Sequence, residues 1–322
     1  MEYIITGAAG FIGSHLIEYL QVHHSNDKIF VLDKIPPKNL HCNTEYIYCD
    51  INESISIKKN FNNPILIHLA ALCKEPGYSW EEYFVTNYLG TKNICQFAID
   101  NNVNNIIFTS TMMVFKSGEK RNTEEDITAP DTAYGISKLL AEEVLFGWEK
   151  SHKKHRLRII RPGVVFGKGE NGNFSRLARA LKFNLFVYVG KRDTIKGSVY
   201  VKDVVRALLF LQSDSKERIL YNVVFPKPDT IGKICSSICK VMGWRRFVPV
   251  APFRLLLGIS YTFELLNSIG LKNPIHHRRI EKLFYSTHLS SDALLESGFT
   301  FSYSLESALS DWKKDCNNIG LL

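Results

Sequence analysis

Three glycines, Gly7, Gly10 and Gly13, stand three residues apart between an apolar run, Tyr3-Ile4-Ile5, and a helical pattern beginning Phe11-Ile12-Gly13-Ser14-His15-Leu16. Glycine has no Cβ, so such a turn lets the backbone come close to a pyrophosphate. The helix start behind it offers unpaired N–H groups and a positive dipole end. A second run, Lys28-Ile29-Phe30-Val31-Leu32, ends in Asp33, twenty residues beyond Gly13. A carboxylate there accepts hydrogen bonds from the ribose hydroxyls of an adenosine and repels a 2′-phosphate. The spacing therefore predicts NAD rather than NADP, with Lys34 as a contrary sign. Farther on, Thr109-Ser110-Thr111 closes another apolar run and puts hydroxyls where open α/β sheets bind ligands. Tyr134 and Lys138, four apart in a helical segment, share one face. Such a pair is common in any helix. Beside a nucleotide site and a row of hydroxyls it becomes the candidate for catalysis.

These residues need a scaffold that gathers strand ends. The first half alternates strand-like and helix-like segments, which predicts an α/β fold, a Rossmann-type doubly wound parallel sheet. Strands are expected at 3–5, 28–32, 46–49, 65–68, 105–108, 158–167 and 219–224, and helices over 81–101, 134–150 and 203–212. Residues 1–165, continued by 198–225, would form the nucleotide-binding domain. Residues 166–197 and 226–322 would form a smaller, mostly helical substrate domain. Asp50, at the end of the third strand, is expected either to accept from an adenine amino group or to cap a helix over 52–60. Leu69-Ala70-Ala71, after the fourth strand, leaves room for a cofactor across the sheet edge, and His68 is expected as a buried packing residue. Asn87 and Gly90 are poor helix formers inside 81–101, a local conflict that predicts close passage of the cofactor.

With 322 residues and 45% hydrophobic content, the chain is long enough for a substantial core. Net charge is +8, which suits anionic ligands. No basic block with interleaved aromatics occurs, and Lys153-Lys154-His155-Arg156 reads as a solvated loop, so no nucleic-acid partner is expected. The seven cysteines are scattered, odd in number and without a CxxC pair, which argues against disulfides and metal. Because the first strand begins almost at Met1, no signal peptide and a cytoplasmic location are expected. The apolar stretch 253–271 is interrupted by Arg254, Glu264 and Asn267, so it is not expected to span a membrane. It reads as a core or lid helix, or else as an interface-lying helix or partner contact.

Taken together, Thr6-Gly7-x-x-Gly10-x-x-Gly13, Asp33, Asp50, His68-Leu69-Ala70-Ala71, Asn87-x-x-Gly90-Thr91, Thr111, Tyr134-x-x-x-Lys138 and Arg161-Pro162 occur in an order that resembles the extended short-chain dehydrogenase/reductase family, in its nucleotide-sugar epimerase/dehydratase branch. The match is strong over about residues 1–225 and loose beyond, through Leu289 to Phe299. The resemblance implies a cofactor site of Gly7, Gly10, Phe11, Ile12, Gly13, Asp33, Asp50, Ile51, Leu69, Ala70, Ala71, Asn87, Tyr134, Lys138 and Pro162. It implies catalysis by Thr111, Tyr134 and Lys138, and substrate contacts from Thr111, Asn173 and Lys196. Tyr134 would be the acid/base. An ordinary tyrosine titrates near ~10, and bringing it to neutrality takes on the order of 4 kcal/mol, which Lys138 and the positive nicotinamide would supply. Thr111 would aim the sugar hydroxyl, and a transient 4-keto sugar would return as its epimer. A homodimer built on the helices 81–101 and 134–150 is likewise implied.

Departures from the family pattern narrow the reading. Met112 and Met113 stand where 4,6-dehydratases carry acids, so dehydration is disfavoured. Val164 stands where many epimerases place a diphosphate-binding Asn, for which Asn173 would compensate. Lys196 stands where relatives often carry Arg, keeping the charge but losing the bidentate fork. The expected activity is an NAD-dependent nucleotide-sugar 4-epimerase acting on a UDP-hexose or UDP-N-acetylhexosamine for polysaccharide synthesis. An NDP-4-keto-sugar reductase is the alternative, followed by a steroid-type alcohol dehydrogenase.

Overall fold

The computed structural model describes residues 1–38, 42–213, 218–268, 277–318 and 320–321. In chain order the elements run β1 (Glu2–Thr6), α1 (Phe11–His23), β2 (Lys28–Asp33), β3 (Thr44–Tyr48), β4 (Ile65–His68), α2 (Trp80–Tyr83), a π-helical turn (Phe84–Leu89), α3 (Gly90–Asp100), β5 (Asn105–Thr109), a 3-10 turn (Met112–Val114), β6 (Gly118–Asn122) and α4 (Ala133–Ser151). Then follow β7 (Arg156–Pro162), β8 (Val164–Phe166), α5 (Asn173–Lys182), β9 (Tyr188–Val189), β10 (Ser198–Tyr200), α6 (Val201–Leu211) and β11 (Leu220–Val223). The remainder holds α7 (Ile231–Met242), β12 (Val250–Ala251), α8 (Phe253–Ser268), α9 (His277–Phe284), β13 (Thr287–Leu289), α10 (Asp292–Glu296) and α11 (Leu305–Asp315). The last residues of the apolar stretch 253–271 lie outside the described residues.

Seven strands form one parallel sheet in the order β11-β7-β5-β4-β1-β2-β3. Successive residues of a strand face opposite sides. Accordingly Tyr3 and Ile5 enter one core with Leu16 of α1 and Leu208 of α6, while Ile4 enters another with Phe97 of α3 and Leu145 of α4. Both faces are covered, so the strands are near-continuous apolar runs rather than alternating ones. The order reverses between β1 and β4, and the crevice beyond the carboxyl ends of those strands is where such sheets bind ligands.

The expected strand over 158–167 is two strands. A Cβ at Gly163 would lie 2.6 Å from the Gly197 carbonyl oxygen, so the chain passes there only as glycine. Beyond it β8 leaves the main sheet and pairs with β10. No helix occupies 52–60: the Asp50 carboxylate pairs with Lys34 Nζ at 2.7 Å and accepts the Asn52 N–H at 2.9 Å. The carboxylate thus closes a turn, with Glu53 N–H on the Asp50 carbonyl at 3.1 Å, and no helix follows it. The expected helix over 81–101 is composite, with its π-helical turn around Asn87.

The C-terminal part is woven into the first half. β13 pairs with β6, and Leu294 and Phe299 enter the core on the α1 side of the sheet. A third core gathers Phe166, Phe174, Ile238, Leu309 and Trp312, and Phe11 and Ile12 pack against it. All seven cysteines are free thiols. Among the described residues no helix is long and apolar enough to cross a membrane.

One buried ion pair ties α4 to the sheet. Arg161 on β7 donates from Nε at 2.9 Å and from a terminal nitrogen at 2.5 Å to the two oxygens of Glu142, and both side chains are almost wholly buried. Removing one partner leaves an uncompensated charge in the core. Glu142→Ala is expected to destabilise the fold by about 3–5 kcal/mol, read as a lowered midpoint in urea denaturation.

Candidate active site

The glycine turn is a contact as much as a bend. Gly7 has φ +70°, and a Cβ there would lie 2.5 Å from the Ala70 backbone nitrogen; one at Gly13 would lie 2.4 Å from the Gly7 carbonyl oxygen. The turn thus presses against Leu69-Ala70 at the end of β4. Asp33 fastens it from the other side, accepting the Ala9 N–H at 3.0 Å and the Ile35 N–H at 3.1 Å. The first helical hydrogen bond runs from Ser14 N to Gly10 O at 2.9 Å, so the amides of Phe11, Ile12 and Gly13 head the helix before its ladder starts. His15 at 2.8 Å from the Lys168 carbonyl ties α1 to the loop after β8.

Behind the turn a buried polar chain connects β1 to the helix that carries Tyr134. His68 has Nδ1 2.7 Å from Thr6 Oγ1 and Nε2 3.1 Å from Thr91 Oγ1. Thr91 gives its own proton to the Asn87 carbonyl at 2.6 Å, so it must accept from His68 Nε2–H, and Nδ1 must accept from Thr6. The Thr6 oxygen accepts in turn from Ala70 N at 3.3 Å. Burial, then the charge of Lys138, hold His68 down at about 3, in keeping with this neutral ring. Asn87 donates to Ser137 Oγ at 2.9 Å and to the Leu72 carbonyl at 3.0 Å, and accepts the Leu72 N–H at 2.8 Å. Ser137 donates to the Tyr134 carbonyl at 2.8 Å. The π-helical turn and its Asn87 therefore pin the loop after β4 to α4, which is the work the unfavourable Asn does here. His68 is a buried packing residue, and it also links β1 to α3 by hydrogen bonds.

Thr111, Tyr134 and Lys138 meet at the carboxyl end of β5. Thr132 caps α4, its Oγ1 accepting the Gly135 N–H at 3.1 Å. A Cβ at Gly135 would lie 2.2 Å from the Met113 carbonyl oxygen, so glycine after Tyr134 is what lets α4 reach the 3-10 turn beside Thr111. Tyr134 packs against Tyr83, with ring centroids 6.0 Å apart, and among Leu72 and Met113. Burial pushes its phenol above the ordinary value, a nearby Cys73 thiolate would add to this, and the Thr111 side chain pulls the other way by hydrogen bonding. Lys138 is 2% exposed. Its Nζ lies 3.9 Å from the centre of the Phe108 ring, and burial brings its pKa down to about 7 against the pull of Glu142. The ammonium has no hydrogen-bond acceptor among the described residues, and the buried hydroxyl of Ser110, the residue before Thr111, is also unpaired. Hydroxyls of a bound ribose fit such a place, and the cradle at Gly7 and Gly13 fits a pyrophosphate.

The other expected residues fall as follows. Ile51 is buried and its side chain fills the space a Cβ at Gly90 would need. Pro162 ends β7 at the kink described above. Asn173 stands exposed at the head of α5. Lys196 donates to the carbonyls of Lys282 and Tyr285, each at 2.6 Å, and burial lowers it to about 7, so it is held inside the C-terminal loops and is not a surface charge. Sequence reasoning passed over Gly135, Ser137 and Cys73. The glycine directly after Tyr134 was the one available signal.

Residues 3–223 match the NAD dependent epimerase/dehydratase family, and the chain belongs to it. It is 27% identical over 319 residues, covering 95% of this chain and 92% of the relative, to the N-acetyl-alpha-D-glucosaminyl-diphospho-ditrans,octacis-undecaprenol 4-epimerase of Escherichia coli O157:H7. It is 30% identical over 184 residues to the UDP-glucose 4-epimerase of Vibrio cholerae, covering 55% of each chain. The solved UDP-glucuronic acid 4-epimerase of Bacillus cereus with NAD superposes with a TM-score of 0.74 at 20% identity, over 98% of this chain and 99% of that one. The fold is thus that of the nucleotide-sugar 4-epimerases, and the protein is an NAD-dependent enzyme of that family.

The buried Lys138 has a cost in stability. Its folded value of about 7 lies below the ordinary 10.5. As the pH falls from 10.5 the unfolded chain takes up the proton first, so the apoprotein loses stability down to about pH 7, and the penalty is constant below that. Lys138→Met is expected to stabilise the apoprotein at pH 7 by ~1–4 kcal/mol in urea denaturation while abolishing turnover. The stability gain should fade toward pH 10.5.

Proposed function

We propose that the protein inverts C4 of a UDP-hexose or UDP-N-acetylhexosamine through a transient 4-keto sugar, in the assembly of a polysaccharide. The observation that carries this reading is the meeting of Thr111, Tyr134 and Lys138 with the glycine turn at one sheet edge, with Met112 and Met113 in place of the acids a dehydratase would use. Thr111 Oγ1 accepts the Met113 N–H at 3.2 Å, and its hydroxyl, which hydrogen-bonds Tyr134, would turn to the sugar oxygen when substrate is bound. Tyr134 takes the C4 hydroxyl proton and later returns it. Bound NAD supplies the acceptor, then the donor, of the C4 hydride. The Thr111 hydrogen bond opposes the burial that keeps the phenol protonated, and Lys138, one helical turn on, is the cation of this proposal. Asn173 and Lys196 are the substrate contacts of this proposal, and Asp33, Asp50 and Ile51 lie on its adenosine side. Pairing of two copies through α3 and α4 belongs to it as well.

A second reading is favoured by one observation. The undecaprenol-linked relative aligns over 95% of this chain, including the C-terminal part, whereas the Vibrio relative aligns over 55%. A sugar diphosphate carried on a polyprenol offers the same reacting C4 and the same α-diphosphate.

The purified protein, without added cofactor, is expected to epimerise a member of a panel of UDP-, GDP- and dTDP-sugars and polyprenyl-diphospho-N-acetylhexosamine, followed by chromatography of the sugars. A stoichiometric demand for added NADPH would replace the epimerase by the reductase. Tyr134→Phe is expected to keep bound NAD and to lose roughly 10²- to 10⁴-fold in kcat.

A further inference from the structure

One surface stands apart from the site. Between Phe247 and Thr262 five large hydrophobic side chains face solvent: Phe247 is 82% exposed, Val250 45%, Leu255 58%, Ile259 41% and Tyr261 51%. On α8 the exposed positions Arg254, Leu255, Gly258, Ile259 and Thr262 recur at helical spacing and form one face. The opposite side holds the helix to the protein, with Phe253 stacked on Phe284 at 4.0 Å and Ser260 buried. The face is therefore presented by a docked helix.

Its charge is uneven. Arg245, Arg246 and Arg254 flank the apolar residues, and an adjoining open groove of about 650 Å³ is lined by Arg192, Lys240, Trp244 and Phe247. Arg246 donates to the Lys182 carbonyl at 2.9 Å and Arg192 to the Val248 carbonyl at 3.2 Å. Neutral carbonyls hold these guanidinium groups in place and leave their charge intact. Among the described residues Lys240 alone of the groove cations pairs with a carboxylate, that of Glu306 at 3.0 Å, and Asp193 stands exposed beside Arg192.

We propose that this face docks on an anionic phospholipid bilayer. Phe247, Leu255 and Ile259 enter the headgroup boundary, and the arginines meet lipid phosphates. Charge selects this occupant over a second copy of the chain, because a two-fold interface sets the same patch against itself and would bring arginine to arginine. The docking does not depend on which sugar the site takes.

Flotation of the full-length protein with vesicles tests it. The protein is expected to float with phosphatidylcholine vesicles that contain phosphatidylglycerol, to stay behind with phosphatidylcholine alone, and to be released by salt. The double variants R245E/R246E and L255E/I259E should each lower the bound fraction about tenfold or more. Their circular dichroism and bound NAD should match the parent, which shows that they fold. Equal flotation with neutral vesicles, or flotation untouched by both double variants, would overturn the proposal. So would a parent dimer in sedimentation that L255E/I259E splits, since the face would then be a self-interface.

Discussion

A single run of buried hydrogen bonds holds the place where chemistry would occur. It starts at Thr6, the last residue before the glycine turn, and passes through His68, Thr91, Asn87 and Ser137 to the backbone of Tyr134. Each member lies on a different element or at an element's end, and each donor has an acceptor. A fully satisfied network of this kind is rigid and specific, because any broken member leaves a polar group stranded in a low-dielectric interior. The glycine turn and the tyrosine are thereby set at a fixed separation by buried side chains. A histidine that stays neutral is suited to this place, since a proton on Nδ1 would turn that nitrogen from acceptor to donor and break the bond it receives from Thr6.

The same interior accepts a conflict that an ordinary core would avoid. Lys138 is buried over an aromatic ring with no hydrogen-bond acceptor among the described residues, and Tyr134 is buried where ionisation is opposed. Each is unfavourable in the empty protein. Together they make a pair whose protonation is sensitive to whatever polar or charged ligand enters beside them. Cys73 adds to this sensitivity, since Lys138 draws its thiol down while burial pushes it up. Elsewhere the interior is conventional: Arg161 and Glu142 neutralise each other, and the aromatic cluster around Phe166 and Trp312 packs without charge.

Much of this was legible in the chain because the signals are local. The glycine spacing, the acid at the end of β2, the alternation of strands and helices and the one-turn separation of Tyr134 from Lys138 each need only a short window. What failed to show needed partners distant in sequence. Asp50 has the look of a helix cap, and only the return of β2 beside β3 brings Lys34 to it. The break at Gly163 depends on Gly197, and the position of Lys196 depends on carbonyls some ninety residues later. Asn87 was conspicuous as a poor helix former, yet the reason, its hold on Leu72 and Ser137, lies in tertiary structure.

The sheet order also bears on how the chain is made. β11, the last strand of the seven-stranded sheet to be synthesised, closes that sheet beside β7, and the segment carrying Leu294 and Phe299 then seals the core on the α1 side. Until the ribosome has released these residues, β7 is an open edge and an apolar face lies bare. A chain paused within the second half thus exposes an unpaired strand edge and bare apolar surface, the two features from which aggregation starts.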